Sequence, residues 1–181
     1  MRTRSLALAL ALLAAGCVPQ SPPPLPAPQP SPVPTPAPAP VPTPSPTPQP
    51  TGDWRDWPLT PGDWTYRQDD RGSLALFGQP GEDALFVIRC DKQRGQVYLS
   101  RAGLIQGPLP ITIRTTSMTR TVSASPTGGT PPYAAAALAP GDRLLDAMSF
   151  SRGRFIVEAA GMPTLVIPAW SEVPRVTEDC R

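Results

Sequence analysis

From Pro24 to Pro50 every second residue is proline, and no other feature of this 181-residue chain restricts its folding so strongly. Each pyrrolidine ring fixes φ, removes a backbone donor and drives the preceding residue out of the helical region. The run is therefore biased to extended polyproline II, with neither helix nor sheet open to it. It carries no charge and no aromatic residue, so it has nothing with which to build a core. Proline supplies 29 residues of the chain, 17 of them between Pro19 and Pro50. At about 3.1 Å per residue such a segment reaches up to roughly 100 Å. A repeat this monotonous reads as a stalk without folded structure rather than as a docking peptide. Residues 52–181 remain as the piece long enough to bury a single core.

Ahead of the prolines stands a leader with three parts. Arg2 and Arg4 make a positive start, Leu6 to Ala15 is an unbroken run of Leu and Ala, and Ala14-Ala15-Gly16 supplies small residues. This is the layout of an export signal, and the apolar run is about half of what a bilayer span needs. Leu13-Ala14-Ala15-Gly16-Cys17 resembles the lipobox of bacterial lipoproteins. That resemblance implies cleavage after Gly16, acyl chains on Cys17 and stable anchoring through two or more chains. Val18 follows the cysteine, where aspartate would signal inner-membrane retention, so the implied address is the outer membrane, facing the periplasm. The expected organisation is a signal peptide at residues 1–16, a lipid-anchored linker at 17–51 and a globular domain at 52–181.

The globular part is electrically balanced. The formal charge of +2 arises from Arg2 and Arg4, and from Asp53 onward 14 Lys plus Arg face 14 Asp plus Glu. Nothing in that balance points to nucleic acid. Eight short segments read as strands: Trp64–Arg67, Ser73–Phe77, Ala84–Cys90, Gln96–Ser100, Leu109–Thr115, Arg120–Ala124, Arg154–Glu158 and Thr164–Ile167. Gly-, Pro- and Asp-bearing turns separate them. Their spacing predicts a mainly β domain, an antiparallel sandwich or small barrel. Two short helices are expected beside it. One is Asp142–Met148, with Leu144, Leu145 and Met148 on one face; the other is Ser171–Cys180, with Ser171 as N-cap and Val173 and Val176 inward. With Cys17 acylated, Cys90 and Cys180 form an even pair in an oxidising compartment, and a structural disulfide is expected between them.

Little catalytic chemistry fits this composition. Histidine is absent, which removes Ser-His, Cys-His and most zinc arrangements. Lys92 is the sole lysine and lies in a turn without a serine signature. The pairs Asp69-Asp70 and Glu82-Asp83 lack calcium-loop spacing, and there is no glycine-rich phosphate loop. Carboxylates for glycoside cleavage could come from Asp146, Glu158, Glu172, Glu178 and Asp179, most of them explained by nearby arginines. The expectation is a protein without enzymatic activity, metal or cofactor. Arg152, Arg154, Arg175 and Trp170, with Glu172, form the candidate interface set, because Arg and Trp most often anchor contacts. The plainer alternative is an internal network. In it Glu158, Glu172, Glu178 and Asp179 pair with Arg152, Arg154, Arg175 and Arg181, while Trp170 fills the core. Trp54 and Trp57 are expected to cap the sandwich edge, with an exposed sugar-stacking platform as the alternative.

The order Phe86-Val-Ile-Arg-Cys90, Val97-Tyr-Leu99, Asp142-Arg-Leu-Leu-Asp146, Ser151-Arg-Gly-Arg-Phe155 and a short helix ending at Cys180 is similar to small periplasmic β-sandwich proteins. These are the invasion-associated locus B family and the TagO-like proteins of type VI secretion. The likeness implies a non-catalytic envelope protein that binds another protein or peptidoglycan. Cys90 after a strand, the Ser151–Phe155 strand and the late Cys180 also resemble C-type lysozyme inhibitors. That implies, as the alternative, an inhibitor of a wall-degrading enzyme.

Overall fold

Short segments that alternate apolar and polar residues cannot bury an apolar face alone, and in the computed structural model they solve this by pairing edge to edge. The structure describes residues 51–181; the leader, the lipobox, Cys17 and the proline run lie outside the described residues. All eight expected strands are present: β1 (Asp63–Asp69), β2 (Gly72–Gly78), β3 (Phe86–Asp91), β4 (Gln96–Ala102), β5 (Leu109–Arg114), β6 (Thr119–Pro126), β8 (Arg154–Ala159) and β9 (Leu165–Pro168). A ninth, β7 (Tyr133–Leu138), was not expected. Its sequence, Tyr-Ala-Ala-Ala-Ala-Leu, has no β-branched residue and no alternation, so local preference is silent there. Pairing supplies the strand: β7 lies antiparallel to β4 from Val97↔Leu138 to Ala102↔Tyr133.

The nine strands form one antiparallel sheet in the order β1-β2-β3-β4-β7-β6-β5-β8-β9. The sheet turns over on itself at β6, which pairs with β5 through Thr119–Ala124 and with β7 through Ser125 and Pro126. Side chains of both halves then share one interior, including Phe77, Phe86, Ile88, Leu99, Ile111, Ile113, Phe155 and Ile167. Fully burying each is worth about 1.5–3 kcal/mol. Trp64 seals the seam between the two outermost strands: its ring lies 5.4 Å from Phe77 and its Nε1 donates to Pro168 O at 2.8 Å. The mainly β sandwich is as the pattern of turns and strands implies.

Two helices close one end. In α1 (Arg143–Ser149) the Asp142 side chain caps the first turn by accepting from Leu144 N at 2.8 Å, and Leu144, Leu145 and Met148 enter the core. In α2 (Glu172–Asp179) Val173 and Val176 are buried, as their spacing implies, and Pro174 sits within the first turn. Ser171 does not cap α2 as expected. It is itself in helical conformation with no side-chain bond to a helix N–H, a geometry that a capping serine does not adopt. Cys180 follows α2 and lies at disulfide distance from Cys90, with 5.3 Å between their Cα atoms. The turn from β1 to β2 passes directly beside this pair. There Gly72 has φ +144°, and a Cβ would stand 2.5 Å from Cys90 O, so only glycine fits.

Trp54 and Trp57 close the sandwich at its outermost strand, β9, and are no exposed platform. Both are buried against Ile156 and Val166, on the outer surface of β8 and β9. This is why Phe155-Ile-Val157 and Leu165-Val-Ile167 are unbroken apolar runs: those strands are covered on both faces. Thr60 continues the strap along β9, donating from its N–H to Val166 O at 2.9 Å and accepting from Val166 N at 2.9 Å through Oγ1.

Candidate functional site

Three turns meet where the helices close the sandwich: residues 115–118 after β5, 150–153 after α1 and 169–171 after β9. Polar bonds stitch them together. Thr116 N donates to Ser151 Oγ and Arg152 N to Thr116 Oγ1, each at 3.2 Å, and Ala169 N donates to Gly153 O at 3.2 Å. The last bond extends the Arg154↔Pro168 pairing of β8 and β9 by one step, so Arg152 and Trp170 project from neighbouring chain segments. Phe150 ends α1, its N–H donating to Asp146 O at 2.9 Å. Phe150 is 78% exposed and Trp170 46% exposed. Large rings left in water at a rigid turn cluster are what contact surfaces are made from.

The interface set splits. Arg152 is exposed and makes no ion pair among the described residues. Arg175 is exposed and lies over Tyr66, 3.6 Å from the ring centroid. Glu172 is half-buried, next to the Ser171 hydroxyl at 3.5 Å. Arg154 belongs to the interior instead: it is half-buried and donates to Trp57 O, clamping the tryptophan strap onto β8. The expected internal network is overturned in most of its parts. Trp170 lies at the surface because the chain turns outward between β9 and α2. Glu158 pairs with Arg114 at 3.1 Å, a diagonal neighbour on the adjacent strand β5; Arg181 takes a predicted partner, Glu178, at 2.8 Å, with Asp146 beside it, and Arg175 acts on Asp179 by charge without an ion pair. Phe150 escaped the sequence reading. A signal for it existed: two positions past Met148, it falls on the far side of the helix from the buried face.

Beside this patch a polar cluster holds the tail of α2. Asp179 accepts from Tyr66 OH at 2.7 Å. Burial alone would raise its pKa, but the Ser73 and Tyr66 hydroxyls and the charges of Lys92 and Arg175 hold the carboxyl below its ordinary range. Asp91, its side chain fully covered, accepts from Arg71 and from Arg94 N and Nη1, and the Arg71 bond first of all keeps it well below the usual carboxylate range. These carboxylates are engaged in holding turns. Ser73 is buried while Lys92 is exposed, an arrangement unsuited to a Ser-Lys nucleophile that must meet substrate. On the outer face of β5 and β8, Pro110, Thr112, Glu158, Ala159, Ala160 and Thr164 line an open depression of about 270 Å³. Among the described residues no three His, Cys, Asp or Glu side chains are grouped to hold a metal ion. Compared with protein-family models, curated proteins and solved structures, the chain matches none.

Proposed function

We propose that this chain is a non-catalytic cell-envelope lipoprotein whose β domain acts by contact with a protein partner or the cell wall. The observation that supports the reading is that Phe150 and Trp170 are exposed, and Arg152 makes no ion pair among the described residues, on turns braced by three interturn bonds. Exposed aromatic rings and a guanidinium on braced turns offer apolar area and directional donors at low entropic cost. Lipid anchorage and the proline segment belong to the same proposal, as a tether that leaves the domain free to reach its partner. The test is a photoreactive phenylalanine analogue at Phe150 in the full chain, expressed in cells and crosslinked in place. A discrete adduct that disappears with Trp170→Ala is expected. Unchanged monomer after crosslinking, or release of wall fragments by the purified chain that depends on Asp146, Glu158 or Glu172, overturns the proposal. Dose-dependent protection of walls from lysozyme would identify the partner as a wall-degrading enzyme.

A further inference from the structure

The strand order leaves β1 and β9 outermost, and their free edges differ. Thr60 occupies the edge of β9 through its two bonds to Val166. On β1 the pairing itself shows which groups are left over. Lys92 N donates to Arg71 O at 2.8 Å and Leu85 N to Phe77 O at 2.7 Å, so Arg71 and Phe77 turn their backbone groups toward β3. Trp64 stands opposite Phe77, and in an antiparallel ladder its own N–H and C=O therefore point away from β2. Those of Tyr66 and Gln68 follow at the same period. Among the described residues no hydrogen bond reaches them. Trp64 and Tyr66 turn their side chains to the core, whereas Asp63, Thr65 and Arg67 share the solvent face and are exposed. Asp63 and Arg67 make no ion pair among the described residues, while Asp69 is held by Arg89 at 2.8 Å.

We infer that the free edge of β1 takes β1 of a second copy of this chain, antiparallel, with Thr65 on the two-fold axis. Charges on an edge strand usually deter pairing, but on this one the signs alternate and select a register. With the axis at Thr65, Trp64 and Tyr66 exchange both backbone bonds with Tyr66 and Trp64 of the copy. Asp63 then lies opposite Arg67 in a non-hydrogen-bonded pair, where side chains approach most closely. An axis at Tyr66 sets Asp63 against Asp69, and one at Arg67 sets arginine against arginine. An axis at Trp64 leaves Asp63 opposite Thr65, without a counter-charge. The contact is isologous and closes at a dimer, continuing the sheet from one copy into the next. It uses a surface other than the Phe150 and Trp170 turns and does not rest on their role.

The experiment joins sedimentation velocity with cysteine crosslinking, both on the full chain in a non-ionic detergent. The native chain should form dimers and nothing larger. Arg67→Glu turns both cross-strand pairs into like-charge pairs and should weaken the dimer about tenfold, and Asp63→Arg/Arg67→Asp should restore it. Thr65→Cys should form a disulfide dimer under mild oxidation, because facing residues of such a pair have Cα atoms about 4.5 Å apart. Asp63→Cys and Arg67→Cys should crosslink when mixed and not when alone. All three positions are exposed, and unchanged far-UV circular dichroism shows that the variants fold. A native chain that stays monomeric at about 100 μM overturns the inference. So does a dimer that Arg67→Glu leaves intact, a loss that the charge reversal does not restore, or a Thr65→Cys chain that yields no more disulfide dimer than the native one.

Discussion

Replacing both Cys90 and Cys180 by alanine removes a link between positions 90 residues apart, nearly the full length of the chain after β2. In the chain-entropy account a loop that long restricts the unfolded chain by about 4–5 kcal/mol. For a domain of this size, with about 2.1 cal/mol/K of unfolding entropy per residue, the melting temperature should fall by about 15 °C. The folded state should change little, because Val173 and Val176 remain in the core and Asp179 still accepts from Tyr66. Urea unfolding of the native and doubly substituted chains, followed by far- and near-UV circular dichroism, measures both quantities. Near-UV signal should persist in the variant, and the urea slope should rise as the unfolded chain expands. Val176→Ala, which trims one buried side chain from α2, should cost about 2 kcal/mol and serves as the local reference. A loss from the double variant no larger than that reference would refute the unfolded-state argument and reduce the bridge to a clip on α2. Loss of near-UV signal at neutral pH without urea would refute the independence of core and bridge.

Stability should be nearly constant from about pH 5.5 to 8, since the chain has no histidine and both domain cysteines are joined. It should fall as the pH drops. The carboxyls of Asp69, Asp91, Asp142 and Asp179 are all held below their ordinary values in the fold. Their contribution is complete above the unfolded value of about 3.9 and disappears as the pH falls through the folded values. Urea midpoints across pH 2–8 test this, and a step near pH 6.5 would contradict it. Arg154→Ala should cost about 1–2 kcal/mol by freeing Trp57 O and the strap, whereas Arg152→Ala should stay within about 0.5 kcal/mol; thermal melts of the pair decide whether that division of roles is right. Cys17→Ser should abolish incorporation of labelled fatty acid and leave an unprocessed precursor, and processing at the same site with retained membrane partition would defeat the lipid assignment.

Turn chemistry made most of the sheet legible in advance. Asp69-Asp-Arg-Gly72 could be read as a reversal because Asp69 Oδ1 accepts from Arg71 N and Gly72 N, bonds that any such sequence offers locally. Strand β7 was hidden because an alanine run has small side chains and no period, and what makes it extended is β4 and β6 on either side. The unbroken apolar runs of β8 and β9 hinted at cover on both faces without naming Trp54 and Trp57 as the cover. The exposed patch was half visible. Arg152, Trp170 and Arg175 drew notice by residue type, yet Arg154 is equally an arginine and faces inward. Only the register of β8 on β9 and the stitching of three distant turns separate them, and these are properties of the fold rather than of any local window.

The strap from Trp54 to Thr60 has a mechanical meaning. A pull arriving along the chain from before Thr51 loads this strap first, through two rings lying on β8 and β9, one arginine clamp and two bonds to Val166. Those contacts peel in sequence, so the strap yields at lower force than strands sheared together and acts as a fuse ahead of the core. If the pull continues, β1 and β2 follow, and then the path meets Cys90. Beyond that point the bond to Cys180 lets the load reach the Trp170 turn back through α2 as well as forward through the strands that follow Cys90.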